Sequence, residues 1–108
     1  GLAGSMLVEA GAKAGLRVAN EGFPDRAYNA DGSLRSRRLP GAVLESPGEA
    51  AAQAVKMVGE GIRLGESRVQ VQTLCIHGDN PAALSIAQAV RGALAANGIE
   101  VITLGKFL

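Results

Sequence analysis

The feature that most constrains this chain is the order of its patterns between Ser46 and Ile102. A capped helical segment is followed by an alternating, then wholly apolar run. A second helical segment comes next, and then another apolar run. Ser46-Pro47-Gly48-Glu49 combines a serine N-cap, glutamate three residues on, and proline at the first helical position, where its missing N–H costs nothing. Ala51, Ala54, Val55, Val58 and Ile62 carry one apolar stripe onward, and Gly59, Gly61 and Gly65 predict that the helix frays or ends between Gly59 and Leu64. Val69 and Val71 alternate with Gln70 and Gln72 before the run Thr73–Ile76, which reads as a strand whose second half is buried on both faces. Asn80 or Asp79 can cap the next helix. Leu84, Ala87, Val90, Arg91 and Leu94 then keep a 3.6-residue period up to Gly98, and Ile99, Val101 and Ile102 read as a last strand. Strand, helix and strand in this order form a right-handed unit, so the expected class is α/β with mainly parallel strands.

The first third is less regular. Met6, Leu7 and Ala10 predict a helix from about Ser5 to Ala14, stopped by Gly15. Leu16-Arg17-Val18 alternates as a short strand, from whose carboxyl end Glu21-Gly22-Phe23-Pro24-Asp25-Arg26 would leave. Between Ala27 and Leu39 the turn signal Asn29-Ala30-Asp31-Gly32-Ser33 suggests a small hairpin, with Arg35, Arg37 and Arg38 clustered after it.

Composition narrows the classes of partner. Eleven basic and ten acidic residues leave a formal net charge of +1, which offers no electrostatic footprint for nucleic acid or an anionic membrane. No apolar stretch approaches the roughly 20 residues that span a bilayer, and no basic-then-apolar leader is present, so a soluble protein is expected. The single cysteine, Cys75, lies between Leu74 and Ile76 and is expected as a buried thiol in a reducing compartment, the cytoplasm by default.

Two loops carry chemistry. His77-Gly78-Asp79-Asn80-Pro81 holds the only histidine of the chain and follows a predicted strand, the place where α/β folds put catalytic groups. His77 can act as general acid or base, and Asp79 can orient it or hold a substrate N–H; the plainer alternative is a strand-end hydrogen bond and a helix cap. Glu21, Asp25, Arg26 and Tyr28 offer two carboxylates, a cation and a phenol that can polarise an amide or grip a carboxylate. The alternative there is a solvated loop with an internal Asp25/Arg26 ion pair. One histidine with scattered carboxylates lacks zinc-ligand spacing, so no metal ligands are assigned, although an oxygen-rich magnesium site stays open. No phosphate-binding loop of the Gly-x-x-x-x-Gly-Lys type, no dinucleotide fingerprint and no Gly-x-Ser nucleophile elbow occurs.

Taken together, Gly1–Ser5, Glu21–Tyr28, Asp31-Gly32-Ser33-Leu34, Gly41-Ala42-Val43 and Thr73–Asp79 resemble the lactam-utilisation family, to which the A subunits of bacterial ATP-dependent 5-oxoprolinases belong. The resemblance runs in order along essentially the whole chain. It implies a distorted (β/α) barrel of the glycoside hydrolase/deacetylase type that opens 5-oxoproline to glutamate with ATP, Mg2+ and partner subunits B and C. No tightly bound cofactor is implied for these residues. Carried over by position, Glu21, Asp25, His77 and Asp79 are the candidate catalytic residues, and Arg26, Tyr28 and Arg37 the candidate substrate-binding ones. Pro24 stands where the family usually has alanine, and Arg35 where it usually has valine.

Family members carry an Asn/Asp-rich motif and further histidine motifs before the point where this sequence starts. Residues 1–108 are therefore expected to form the carboxy-terminal portion of one barrel domain, inactive alone, whose open sheet edge pairs with the amino-terminal half or another copy. Two other readings remain at this level. One is a structural or subunit-interaction segment without catalytic residues, and the other is a metal-dependent, deacetylase-like carbohydrate hydrolase.

Overall fold

A computed structural model of the protein describes residues 1–107. Helix α1, Met6–Lys13, begins where Ser5 Oγ accepts the Val8 N–H at 3.3 Å. It ends in a Schellman motif: Gly15 takes φ +82°, its N–H reaches Ala12 O, and the Leu16 N–H reaches Gly11 O at 3.0 Å. That cap corrects the expected strand at Leu16–Val18. The Leu16 amide is spent on closing the helix and its side chain is 67% exposed, so the sheet starts later, at β1, Glu21–Gly22.

Strand β1 pairs in parallel with β4, Thr73–Leu74, in the register Glu21↔Thr73 and Gly22↔Leu74. On the other side of β1, Leu2 forms a parallel bridge to Glu21, flanked by Ala3 N–H to Glu21 O at 3.0 Å and Glu21 N–H to Gly1 O at 2.8 Å. An α/β fold with parallel strands is thus present, but built on a different unit from the expected one. The parallel neighbours are β1 and β4, and the connection between them contains helix α2, Pro47–Glu60.

Helix α2 starts as its sequence dictates, with Ser46 Oγ accepting the Glu49 N–H and Pro47 in the first turn. It stops at Gly61, whose φ of +79° and ψ of −177° fall in a region essentially reserved for glycine. A Cβ there would stand 2.7 Å from the Val69 carbonyl oxygen. The chain reverses at once into an antiparallel hairpin of β2, Ile62–Leu64, and β3, Ser67–Val69. The single strand expected from Val69 to Ile76 is therefore divided. Its start belongs to the hairpin, Val71 is buried beneath it, and the parallel ladder begins only at Thr73.

Helix α3, Ala83–Ala96, packs on α2 through Ile86, Val90 and Leu94, which meet Ala50, Ala51 and Ala54. Alanines on the facing helix let the two axes come close, and the i, i+4, i+8 spacing keeps one stripe inward. The inner stripe is rotated from the expected one, since Leu84 is 73% exposed. A smaller core of Ala3, Met57, Ile62 and Val71 lies under the hairpin. Gly22 lies close against it: a Cβ would meet Met57 Sδ at 2.7 Å, so the methionine side chain would have to shift.

The expected strand at Ile99–Ile102 forms no ladder among the described residues. Ile99 instead completes a second Schellman motif. Gly98 takes φ +72°, the Ile99 N–H reaches Leu94 O at 2.9 Å, and the Ile99 side chain joins the α2–α3 core. Val101 and Ile102 stay largely exposed before the short helix α4, Leu104–Phe107. Together with Leu74, Ile76, Val90 and Leu94 they line an open apolar groove of about 690 Å³. Among the described residues no helix is long and apolar enough to cross a membrane.

Candidate functional site

Because β1 and β4 run parallel, the segments that follow them leave the same edge. The Cys75 N–H extends the ladder to Gly22 O at 2.9 Å, and two residues later the chain reaches His77. On the β1 side, Phe23-Pro24-Asp25-Arg26 closes into a turn through Arg26 N–H to Phe23 O. Pro24 and Asp25 are among the most deeply buried side chains in the molecule.

Asp25 is wholly buried and directed at His77. Its Oδ2 accepts the His77 backbone N–H at 3.0 Å, and its Oδ1 lies 3.3 Å from His77 Nδ1. Phe23 stacks on the imidazole, with ring centres 5.0 Å apart and planes 22° from parallel. A carboxylate on Nδ1 fixes ring orientation and leaves Nε2 as the nitrogen able to meet a ligand.

The Asp25 turn is itself held from helix α2. Gln53 Nε2 faces three carbonyl oxygens, Phe23 O at 3.2 Å, Pro24 O at 3.0 Å and Arg26 O at 2.6 Å. The Leu44 N–H donates to Asp25 O at 2.8 Å. Asn80, also buried, donates through Nδ2 to Leu44 O at 3.0 Å and accepts the Ala82 N–H at 2.9 Å, which joins the second loop to the same scaffold.

Five of the seven residues singled out in the sequence, Asp25, Arg26, Arg37, His77 and Asp79, line one cleft of about 170 Å³. Arg37 Nη1 and Asp79 Oδ2 form an exposed ion pair at 3.0 Å across it, and the guanidinium holds the Asp79 carboxyl below the usual carboxylate range, by its hydrogen bond first and its charge second. Arg26 is a strut as well as a lining residue: its Nε donates to Ala42 O and its Nη2 to Arg35 O at 2.9 Å.

Glu21 and Tyr28 lie outside this lining. Glu21 sits in the ladder between Leu2 and Thr73. The Tyr28 hydroxyl accepts the Phe23 N–H at 2.8 Å, and burial pushes its pKa up. The Tyr28–Leu34 and Arg26–Val43 bridges give the expected hairpin character to the 27–39 excursion. Cys75 is half-buried rather than enclosed; burial pushes its thiol pKa up, and the charges of Glu21 and Asp25 add to the rise. Glu45 and Asn80 also line the cleft. Asn80 stands out in the sequence as a candidate helix cap, but α3 starts later, with Ala82 at its N-cap and no side-chain cap bond, and Asn80 instead accepts the Ala82 N–H in the preceding turn; nothing in the pattern sets Glu45, Phe23 or Gln53 apart.

Asp25 is engaged by His77 and Asp79 by Arg37, and among the described residues no three of His, Cys, Asp and Glu come together as a possible ligand group.

Fold and site define an α/β protein whose polar cleft opens at the carboxyl ends of parallel strands, the edge at which such folds bind small molecules. Within that class the chain belongs to the LamB/YcsF family, whose profile matches residues 1–108. It is 50% identical over 107 residues to the 5-oxoprolinase A subunit of Deinococcus radiodurans, covering 96% of this chain and 42% of that protein. To the Pyrococcus furiosus protein of the same name it is 47% identical over 111 residues, covering 99% and 44%. The crystal structure of a lactam utilization protein from Thermus thermophilus superposes with a TM-score of 0.78 at 45% identity, over 91% of this chain and 40% of that one. The chain spans about two fifths of the length of these relatives.

Proposed function

We propose that these residues form one wall of the lactam site in a 5-oxoprolinase A subunit, which hydrolyses 5-oxoproline to glutamate at the expense of ATP. The observation that carries this reading is the pairing of buried Asp25 with partly exposed His77 at the carboxyl ends of two parallel strands, opening on a cleft with a cation on its rim. The cleft, about 170 Å³ as these residues form it, supplies one face of that site.

The substrate carries a carboxylate, a ring amide and nothing else polar. Arg37 exchanges Asp79 for that carboxylate, since the guanidinium fork matches its two oxygens. Asp25 holds His77 so that Nε2 takes a proton from the attacking water and returns it to the ring nitrogen as the C–N bond breaks. A lactam is a poor electrophile at neutral pH. Transfer of the ATP γ-phosphoryl to the amide oxygen releases ADP and activates the carbon. Addition of water and loss of the ring nitrogen then leave an acyl phosphate, which a second water hydrolyses to glutamate and phosphate. We assign ATP and Mg2+ to surfaces beyond these residues, in the rest of the full-length protein or in subunits B and C, and place the assembly in the cytoplasm.

In the full-length protein we read the fold as part of a distorted (β/α) barrel, with the apolar groove beside β4 covered by the remaining chain. Residues 1–108 alone are then inactive. The test is His77→Ala in the full-length protein in complex with B and C. ATP-dependent turnover of 5-oxoproline should fall on the order of 10²-fold or more. Wild-type turnover would leave these residues with only a structural or assembly role.

A further inference from the structure

We infer that Gln53 is the positioning residue of this site: its side-chain amide sets where the Asp25 carboxylate stands and, through it, the imidazole of His77. The inference rests on the reading of Asp25–His77 as the catalytic pair.

Backbone carbonyls of one turn normally point to different partners, because successive peptide planes rotate. Here the carbonyls of Phe23, Pro24 and Arg26 converge on a single nitrogen, Gln53 Nε2, at 3.2, 3.0 and 2.6 Å. That nitrogen has two hydrogens, so one is shared between two oxygens. The three oxygens come from the residues on either side of Asp25, and the Asp25 carbonyl is taken separately by the Leu44 N–H. Every carbonyl from Phe23 to Arg26 thereby has a donor, so swinging the Asp25 side chain out of its buried position would cost hydrogen bonds to Gln53 and Leu44.

Gln53 is suited to this task by its place. It lies seven residues beyond the Ser46 cap, on a helix whose Ala50, Ala51 and Ala54 are packed against α3. The amide therefore projects from a helix anchored in the larger core toward a loop that owns no regular ladder. Alternatives at this position are poor. Glutamate has no donor in its ionised form and sets a carboxylate against three carbonyl oxygens, and methionine fills the same space without a donor.

The consequence differs from a loss of stability. Arg37, on the rim, pairs with Asp79 and takes no bond from Gln53, so ground-state binding of a carboxylate substrate is left nearly intact while the acid–base pair drifts. A displacement of about 1 Å in a catalytic group costs on the order of 10²-fold in rate. Gln53 should then appear in kcat and hardly in KM. It should also act only through Asp25, so that a variant already lacking the carboxylate has nothing further to lose.

The experiment uses the full-length protein in complex with its partners, comparing wild type, Gln53→Ala, Gln53→Met, Asp25→Asn and the double variant Gln53→Met/Asp25→Asn. The expected result is a kcat loss on the order of 10-fold or more for either Gln53 variant, with KM within about twofold. The double variant should turn over as slowly as Asp25→Asn and no more slowly. Should Gln53→Ala fail to fold, Gln53→Met supplies the result, because it keeps the volume. Wild-type kcat in Gln53→Met, or losses that multiply in the double variant, would overturn the inference. If Asp25→Asn itself kept wild-type turnover, the fault would lie instead in assigning catalysis to the Asp25–His77 pair, and Gln53 would lose its role with it.

Discussion

The wholly buried carboxylate of Asp25 accepts the backbone N–H of His77 with one oxygen and faces His77 Nδ1 at 3.3 Å with the other, across 52 residues of sequence. A buried acid that spends both oxygens on one residue fixes that residue's main chain and side chain together. Removing the side chain separates the two effects. Asp25→Ala leaves a partly buried N–H without its acceptor and should lower stability by about 1–3 kcal/mol. Asp25→Asn keeps an acceptor for that N–H, so it should unfold close to wild type while turnover in the assembled enzyme falls by about 10²–10⁴-fold. Denaturant midpoints and steady-state rates of the two variants, taken side by side, check this; an equally unstable Asp25→Asn would contradict the proposed split.

The Arg37–Asp79 pair makes a prediction about pH. Asp79 has its pKa lowered in the fold, by the Arg37 hydrogen bond first and the Arg37 charge second. A depressed carboxyl contributes its stabilisation above the unfolded pKa and loses it as pH falls through the folded one. The pair should therefore be unaffected by pH between neutrality and roughly pH 5, and open only below the ordinary aspartate range near pH 4. Carbon-detected titration of the Asp79 carboxyl should show a midpoint below that of a free aspartate, returning to it in Arg37→Gln. Both side chains are substantially exposed, so the depression should shrink in high salt. An unchanged midpoint in Arg37→Gln would mean that the pair does not form.

These relationships show which parts of the fold and site are legible in the sequence alone. The start of α2 was legible because Ser46, Pro47 and Glu49 act within one turn, and the end of α1 because Gly15 supplies the positive φ of a local cap. His77 and Asp25 were legible as loop residues of the right chemistry. Their contact was not, since it depends on the parallel pairing of β1 with β4, two strands of two residues each. Strands that short carry no alternation to detect. The apolar residues at Val69 and Ile99 suggested strands for a real reason, namely burial, but tertiary demands claimed them for a hairpin and a helix cap. Gln53 was hidden for the opposite reason, being an ordinary polar residue on a helix whose partners lie 27 to 30 residues away.

Cys75 offers a chemical probe of the same strand ends. Burial raises its thiol pKa, and the carboxylates of Glu21 and Asp25 raise it further. The thiolate is the species that reacts, so alkylation by iodoacetamide at about pH 8 should be slower than that of free cysteine and should climb steeply as pH rises. Glu21→Gln removes one of the opposing charges and should quicken the reaction without exposing the sulfur. A rate unchanged by Glu21→Gln would place that carboxylate too far from Cys75 to act.

Gly61 sets a limit on how the hairpin can be built. At φ +79° and ψ −177° it occupies backbone space that other residues avoid, and a Cβ would approach the Val69 carbonyl oxygen to 2.7 Å. The obstacle is main chain, so no rotamer change relieves it. Relief requires either the end of α2 to unwind or β3 to move away from β2, and the second breaks the Ile62–Val69 pairing over the Met57 and Val71 core. Gly61→Ala should therefore cost about 1–3 kcal/mol in backbone strain alone. Gly65, at the tip of the same hairpin with φ +63° and nothing within 4 Å of an added Cβ, gives the penalty of a positive φ without the Val69 contact. Urea denaturation should rank wild type above Gly65→Ala and Gly65→Ala above Gly61→Ala. Equal midpoints for the two variants would show that neither the Val69 contact nor the extended ψ of Gly61 adds to the cost of a positive φ.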